Sequence, residues 1–416
     1  MTDRSSNEYL VLFALWLMVF SASSQVIIIS PILPRIGEAL AVRESLLGTL
    51  VTSYAVMLSI FALITGPISD KFGRRRILLA GTGFMAVALY LHAVADSYLS
   101  LLVMRALAGA AGGTLSGAAV AYVGDYFPYD RRGWANGWVM SGIAFGQIIG
   151  IPLGTLLAEL INYRWPFLMF AITMTGAFVL IWRVVPQPDV HGDQRSLSFR
   201  RAIVDYGRLL RNPVTGSATV VYFLMFFSIG LYVIYLPTWI ERTLGVSGEA
   251  IASLFLFGGI ANVLTGPAAG KLSDRLGRKP LIIGSCVGLA VVMVLTTYLV
   301  SNMWMAYLLF SLAMVMIAMR ISPLQSLLSA LVTADRRGIL MSLAVAVGQV
   351  GIGISGALAG PAYGEYGYIS NTMLASVAIT LMALLVWKAL PEPGGELEMD
   401  TPEEMPVQTD NVPVGR

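Results

Sequence analysis

Gly66-Pro-Ile-Ser-Asp-Lys-Phe-Gly-Arg-Arg75 and Gly270-Lys-Leu-Ser-Asp-Arg-Leu-Gly-Arg-Lys279 carry Gly, Ser, Asp, Gly and Arg at identical spacing, 204 residues apart. A second pair, Asp130-Arg-Arg-Gly133 and Asp335-Arg-Arg-Gly338, recurs at an offset of 205. Two motif pairs at nearly one offset mark a duplicated unit. Each copy of the longer motif follows a long apolar run, so the duplicated unit is a set of apolar helices.

Composition says what surrounds those helices. The 416 residues are 56% hydrophobic and 12% charged, against about 25% charged in a soluble globular protein. So little charge leaves no polar surface to face water, and lipid must replace it. A spanning helix needs about 20 mostly apolar residues. Twelve runs meet that requirement, at 8–30, 46–66, 76–95, 98–121, 134–158, 165–186, 213–240, 249–269, 280–300, 303–330, 338–362 and 369–390. They are too long for barrel strands. The first run exceeds a signal-peptide core and is read as a retained helix. The expected fold is an all-α polytopic membrane protein of twelve transmembrane helices in two pseudo-symmetric six-helix bundles. The expected units are 1–186, a central loop 187–212, a second bundle 213–390, and an acidic, disordered tail 391–416.

Basic residues orient the chain, because cytoplasmic loops are enriched in Lys and Arg. Of 27 such residues, Arg35, Arg43, Arg164 and Arg242 fall on one side and Arg105 and Arg320 inside spans. The remaining 21 share the side of the N-terminus. Both termini are therefore expected in the cytoplasm of a bacterial type of inner (plasma) membrane.

Several function classes drop out. Cys286 is the single cysteine, and His92 and His191 are the only histidines, so neither a disulfide nor a Cys/His metal cluster is available. A net charge of +3 without a basic, aromatic-interleaved patch gives no nucleic-acid surface. The phosphate loop G-x-x-x-x-G-K-[ST] is absent, and no nucleophile–base pair suggests an enzyme. No cofactor is expected.

With Gly66 to Arg75 and its second copy in place, the chain resembles the major facilitator superfamily over residues 8 to 390. The resemblance extends to Arg105, Gly109 and Gly113, similar to the fourth-helix R-x-x-x-G-x-x-x-G signature, and to Pro31-Ile-Leu-Pro34, similar to the P-x-x-P of drug–proton antiporters. Gly142, Gly146, Gly150, Pro152 and Gly154 resemble the fifth-helix antiporter signature, except that Gln147 stands where the family usually has Pro. The resemblance implies a monomeric transporter that exports drug-like or metabolite small molecules against protons by alternating access. The alternative is a permease or exchanger for an organic anion or amphiphile, lipid-like molecules included.

The motif residues have physical roles to fill. Asp70 and Arg74 stand four apart, a spacing that pairs side chains on one helix turn. With Asp125 they are expected to latch the cytoplasmic side, and Gly66 and Gly73 frame the turn. Asp274, Gly277 and Arg278 are the second copy. Glycines every fourth residue from Gly142 to Gly154 allow close helix approach, expected here against the other half. Charged residues inside spans cost at least about 2.5 kcal/mol and mark a pathway or a partner. Arg105 and Arg320 are therefore expected at the substrate site, with Gln25, Gln147, Asn262 and Gln349 as polar neighbours. Phe226, Tyr232 and Tyr235 would stack on an organic solute. None of the 24 Asp and Glu falls at a span centre, Glu159 and Asp125 coming nearest. A coupling proton would then have to use Glu159, Asp125 or His92.

Overall fold

A computed structural model describes residues 3–188, 199–333 and 336–391, with side chains at all of these except 3–7, 66–71 and 199–203. The first crossing is α1 (Asp3–Ile27), prolonged through Ile28 into α2 (Ile29–Leu40); α3 (Glu44–Leu47) and α4 (Thr49–Phe72) make the second and α5 (Arg74–His92) the third. The fourth is α6 (Tyr98–Leu115) with α7 (Ala118–Tyr126). The fifth is α8 (Arg132–Phe145), a π-helical turn Gly146–Gly150 and α9 (Ile151–Leu160), and the sixth is α10 (Trp165–Val184). After α11 (Phe199–Arg211), α12 (Pro213–Val233) and α13 (Leu236–Leu244) form the seventh crossing. The last five are α14 (Gly248–Leu276), α15 (Arg278–Leu299), α16 (Met303–Ala330), α17 (Arg337–Tyr366) and α18 (Tyr368–Ala389). Eleven of these crossings are helices long and apolar enough to span a bilayer. The other, α5, opens on Arg74, Arg75 and Arg76, which dilute its apolar run.

Helix is the form that satisfies every backbone group within one segment when lipid offers no partner. The starts at 98, 213 and 303 coincide with the expected runs because side chains cap them. Ser97 and Ser100 form a capping box. Asn212 Oδ1 accepts from the Val214 and Thr215 amides at 3.0 and 3.2 Å, just before Pro213. Asn302 Oδ1 accepts from the Met305 amide at 3.1 Å. Such caps take up the N–H groups that a helix start leaves open.

The duplication is visible in the backbone. Gly73 has φ 92° and ψ 141°, and Gly277, 204 residues on, has φ 90° and ψ 150°. Only glycine adopts that conformation without strain, so each turn needs its glycine to reverse the chain. Packing repeats as well: α4 lies along α6 and α14 along α16, while α1 packs on α10 and α12 on α18. The halves meet through two symmetry-like contacts, α4 with α17 and α9 with α14. At the first, a methyl on Gly48 or on Gly356 would overlap the other residue's carbonyl.

Two expectations need revision. The central segment was read as loop, yet 199–211 is helix α11, whose Tyr206 and Leu209 pack against Ile339, Leu340 and Leu343 of α17. The four arginines of α11 make the stretch polar, while its apolar residues recur at helical spacing and give the helix one apolar face. The glycine stripe 142–154 faces α1 of its own half, against Trp16, Phe20, Ser24 and Ile28, rather than the other half. Regular spacing identifies a close-packed face and leaves its partner open. The side chains of Gly66 and Asp70, Asp335, and the tail beyond 391 lie outside the described residues.

Candidate functional site

Arg105 is fully buried inside the first half. Its Nη1 donates to Gln25 Oε1 at 3.1 Å and to the Gln25 carbonyl at 3.3 Å, and its Nε reaches the Leu50 carbonyl at 3.5 Å. The guanidinium carbon stands 4.5 Å from the centre of the Tyr54 ring. Gln25 Nε2 donates to the Tyr54 hydroxyl at 2.9 Å. Arg105, Gln25 and Tyr54 thus tie α6, α1 and α4 into one buried knot, in which Arg105 Nη2 has no partner. His92 is equally buried, its Nδ1 2.6 Å from the Ala88 carbonyl and its ring 4.4 Å from that of Phe167.

Arg320 has the opposite surroundings. It is 0% exposed, and its Nε, Nη1 and Nη2 all lack a hydrogen-bond partner. The ionisable neighbour that acts on it is the Cys286 thiol of α15. Five residues on, the Gln325 side chain lies near the Tyr222 hydroxyl of α12.

The other expected site residues divide between the interface and the bundle interiors. Gln147 lies in the π-helical turn, and its backbone abuts Gly259 of α14 across the interface. Tyr235 also bridges the halves, its hydroxyl donating to the Glu44 carbonyl at 2.6 Å and accepting from the Gly48 amide at 2.9 Å. Tyr232 is locked within the second half, 3.0 Å from Thr296 Oγ1. Asn262 Nδ2 donates to the Met314 carbonyl at 3.4 Å. Phe226 fills the space above Gly348, and Gln349 leaves its buried Oε1 without a donor.

At the end carrying the Gly73 and Gly277 turns, Arg74 Nε lies 2.6 Å from Asp125 Oδ2, joining α5 to α7. The second copy differs. Arg278 Nη1 reaches the Ser326 carbonyl at 3.4 Å, and Asp274 is exposed.

The far end holds a cluster the sequence did not announce. Arg35 of α2 donates from Nε to Glu159 of α9 at 2.5 Å and from Nη2 to Glu241 of α13 at 2.6 Å, with Glu38 at 3.3 Å. Burial opposes its charge, but the hydrogen bonds and fields of Glu159 and Glu241 hold Arg35 above the usual arginine range. Glu44 and Arg242 make a second ion pair between the halves. Ser30 Oγ donates to the Val233 and Ile234 carbonyls at 2.7 and 3.0 Å. Deeper, Thr52 Oγ1 donates to the Gly353 carbonyl at 2.6 Å and Ser59 Oγ to the Ala346 carbonyl at 2.9 Å. The halves are thus joined from the far end down to mid-depth. The available signal was three opposite charges closing crossings one, five and seven at one face.

The sequence model described as Major Facilitator Superfamily matches residues 15–262 and again 218–411. The MFS-type transporter YwfA of Bacillus subtilis is 26% identical over 404 residues, 95% of either chain. The multidrug resistance protein MdtG of Proteus mirabilis is 29% identical over 310 residues, covering 70% of this chain and 74% of that one. Among solved structures, a D-xylose–proton symporter superposes with a TM-score of 0.77 at 19% identity, over 93% of this chain and 99% of the other. The inward-open conformation of the xylose transporter XylE from E. coli does so with 0.73, also at 19%, over 94% and 98%. These two likenesses are of fold. The chain is a multi-pass membrane transporter, not an enzyme, and belongs to the Major Facilitator Superfamily.

Proposed function

We propose that this transporter exports drug-like or metabolite organic molecules in exchange for protons, by alternating access. It would work as a monomer in a bacterial inner membrane, with both termini in the cytoplasm and without a cofactor. The halves 1–186 and 213–390 would rock about the α4–α17 and α9–α14 contacts, linked by 187–212, with 391–416 as a cytoplasmic tail.

The observation that carries this reading is the joining of the two halves at the far end, where Arg35, Glu44, Ser30 and Tyr235 cross the interface. With the basic end in the cytoplasm, this is a state closed to the outside. Binding between two similar halves near mid-membrane follows from such repeats. Relatives named for multidrug resistance support efflux. Gln147, whose π-helical turn meets α14, and Gln349, with an unused side-chain oxygen, are polar groups open to a solute in this reading. Asp125, Glu159 and His92 remain the groups for the coupling proton.

Cellular accumulation tests the direction. Expression in a host lacking its own pumps should lower retention of an exported dye several-fold, and a proton uncoupler should restore it. Raised retention on expression would replace export by uptake.

A further inference from the structure

Arg105 and Arg320 are both buried guanidinium groups, but the chain partners only Arg105, at its Nε and Nη1, with Nη2 left open. Arg105 has three oxygens and a ring. Arg320 has none, at any of its three nitrogens. Repacking within its own half supplies no counter-charge. The sequences of α12, α15, α16 and α18 contain no Asp or Glu, those of α14 and α17 hold theirs, Glu249, Asp274 and Glu365, near helix ends, and Glu241 of α13 is paired with Arg35. A buried cation without a paired anion is strongly disfavoured, and among the described residues none supplies that anion.

We propose that Arg320 is the anion-binding residue of the carried solute, taking a carboxylate, phosphonate or phosphate group. The inference rests on the transport reading and adds a substrate class to it. The planar guanidinium presents paired N–H donors that match two oxygens of such a group. Ile321, Ser322 and Gln325, near it in sequence, are exposed, and Pro323 lies inside the helix three residues on. Meeting a solute requires the Arg320 side chain to turn toward these exposed neighbours. Gln325, near Tyr222, offers a neutral donor five residues away.

Thermal unfolding of the purified full-length protein in detergent tests this without any transport step. The probes are benzoate, phenylphosphonate, inorganic phosphate and neutral benzamide, against wild type, Arg320→Met, Arg320→Lys and Cys286→Ala. Benzoate or phenylphosphonate should raise the wild-type midpoint by several degrees, saturably, and benzamide should not. Arg320→Met should unfold above ligand-free wild type, since it removes an uncompensated charge, and should ignore the anions. Arg320→Lys should keep a weaker response, which preserves the test if the Met variant fails to fold. Cys286→Ala should respond as wild type does. The proposal is overturned by a wild-type protein indifferent to both organic anions, by equal shifts in Arg320→Met, or by loss of the response in Cys286→Ala. A shift with inorganic phosphate alone would overturn the assignment to the solute. Failure of export or of proton exchange would leave these shifts unchanged.

Discussion

Arg35 of α2 and Glu241 of α13, 206 residues apart, form a 2.6 Å ion pair that bridges the two halves at the far end. Both side chains are about one-fifth exposed, so water screens the pair only in part. Glu159 draws on the same guanidinium from the first half, which fixes Arg35 in place to meet Glu241. Opening this end must break the Glu241 contact and leave the Glu159 contact intact.

Glu241→Gln should therefore loosen the far end, while Glu38→Gln, whose carboxylate is largely exposed, should not. A hydrogen bond to a charged group contributes about 1.5–3 kcal/mol, so the ratio of closed to open molecules should fall about tenfold or more. Spin labels at Ala39 and Thr243 would report it as growth of a longer distance.

Close backbone contact makes a separate demand at the same end. Gly356→Ala sets a methyl against the Gly48 carbonyl. Overpacking of this kind costs about 1–3 kcal/mol, and the same label pair should show separation. Gly137→Ala, where nothing lies within 4 Å, should leave the distances unchanged.

At the basic end, Asp125→Asn removes the charge facing Arg74. Turnover in vesicles should fall several-fold with membrane insertion unchanged. Normal turnover would make the pair ordinary loop charge.

The Arg105 knot should behave as structure. Breaking a buried, hydrogen-bonded charge costs about 3–5 kcal/mol, so Gln25→Ala, which strips the amide from Arg105 and Tyr54, should lower the unfolding midpoint by several degrees. An unchanged midpoint with lost solute binding would instead return Arg105 to the cavity.

Local chemistry was legible in the sequence and partnership was not. Gly73 and Gly277 announced the duplication because a positive-φ turn admits few other residues. The capped starts at Tyr98, Pro213 and Met303 were legible for the same local reason. Arg105 was expected at a cavity because a charge in a span suggests function, but the Gln25 and Leu50 oxygens that satisfy it come from two other helices. The Gly142–Gly154 stripe named a close-packed face and not the helix that covers it. Arg35 looked like one of four loop charges, since Glu159 and Glu241 reach it only through the fold.

Transport by the purified protein in proteoliposomes, under imposed pH and voltage gradients and with internal pH recorded, tests the central claim most directly. The account predicts solute-dependent proton movement opposite to the solute, reversed when the pH gradient is reversed. Robust solute movement with no change in internal pH would contradict proton exchange and leave a facilitator or solute exchanger.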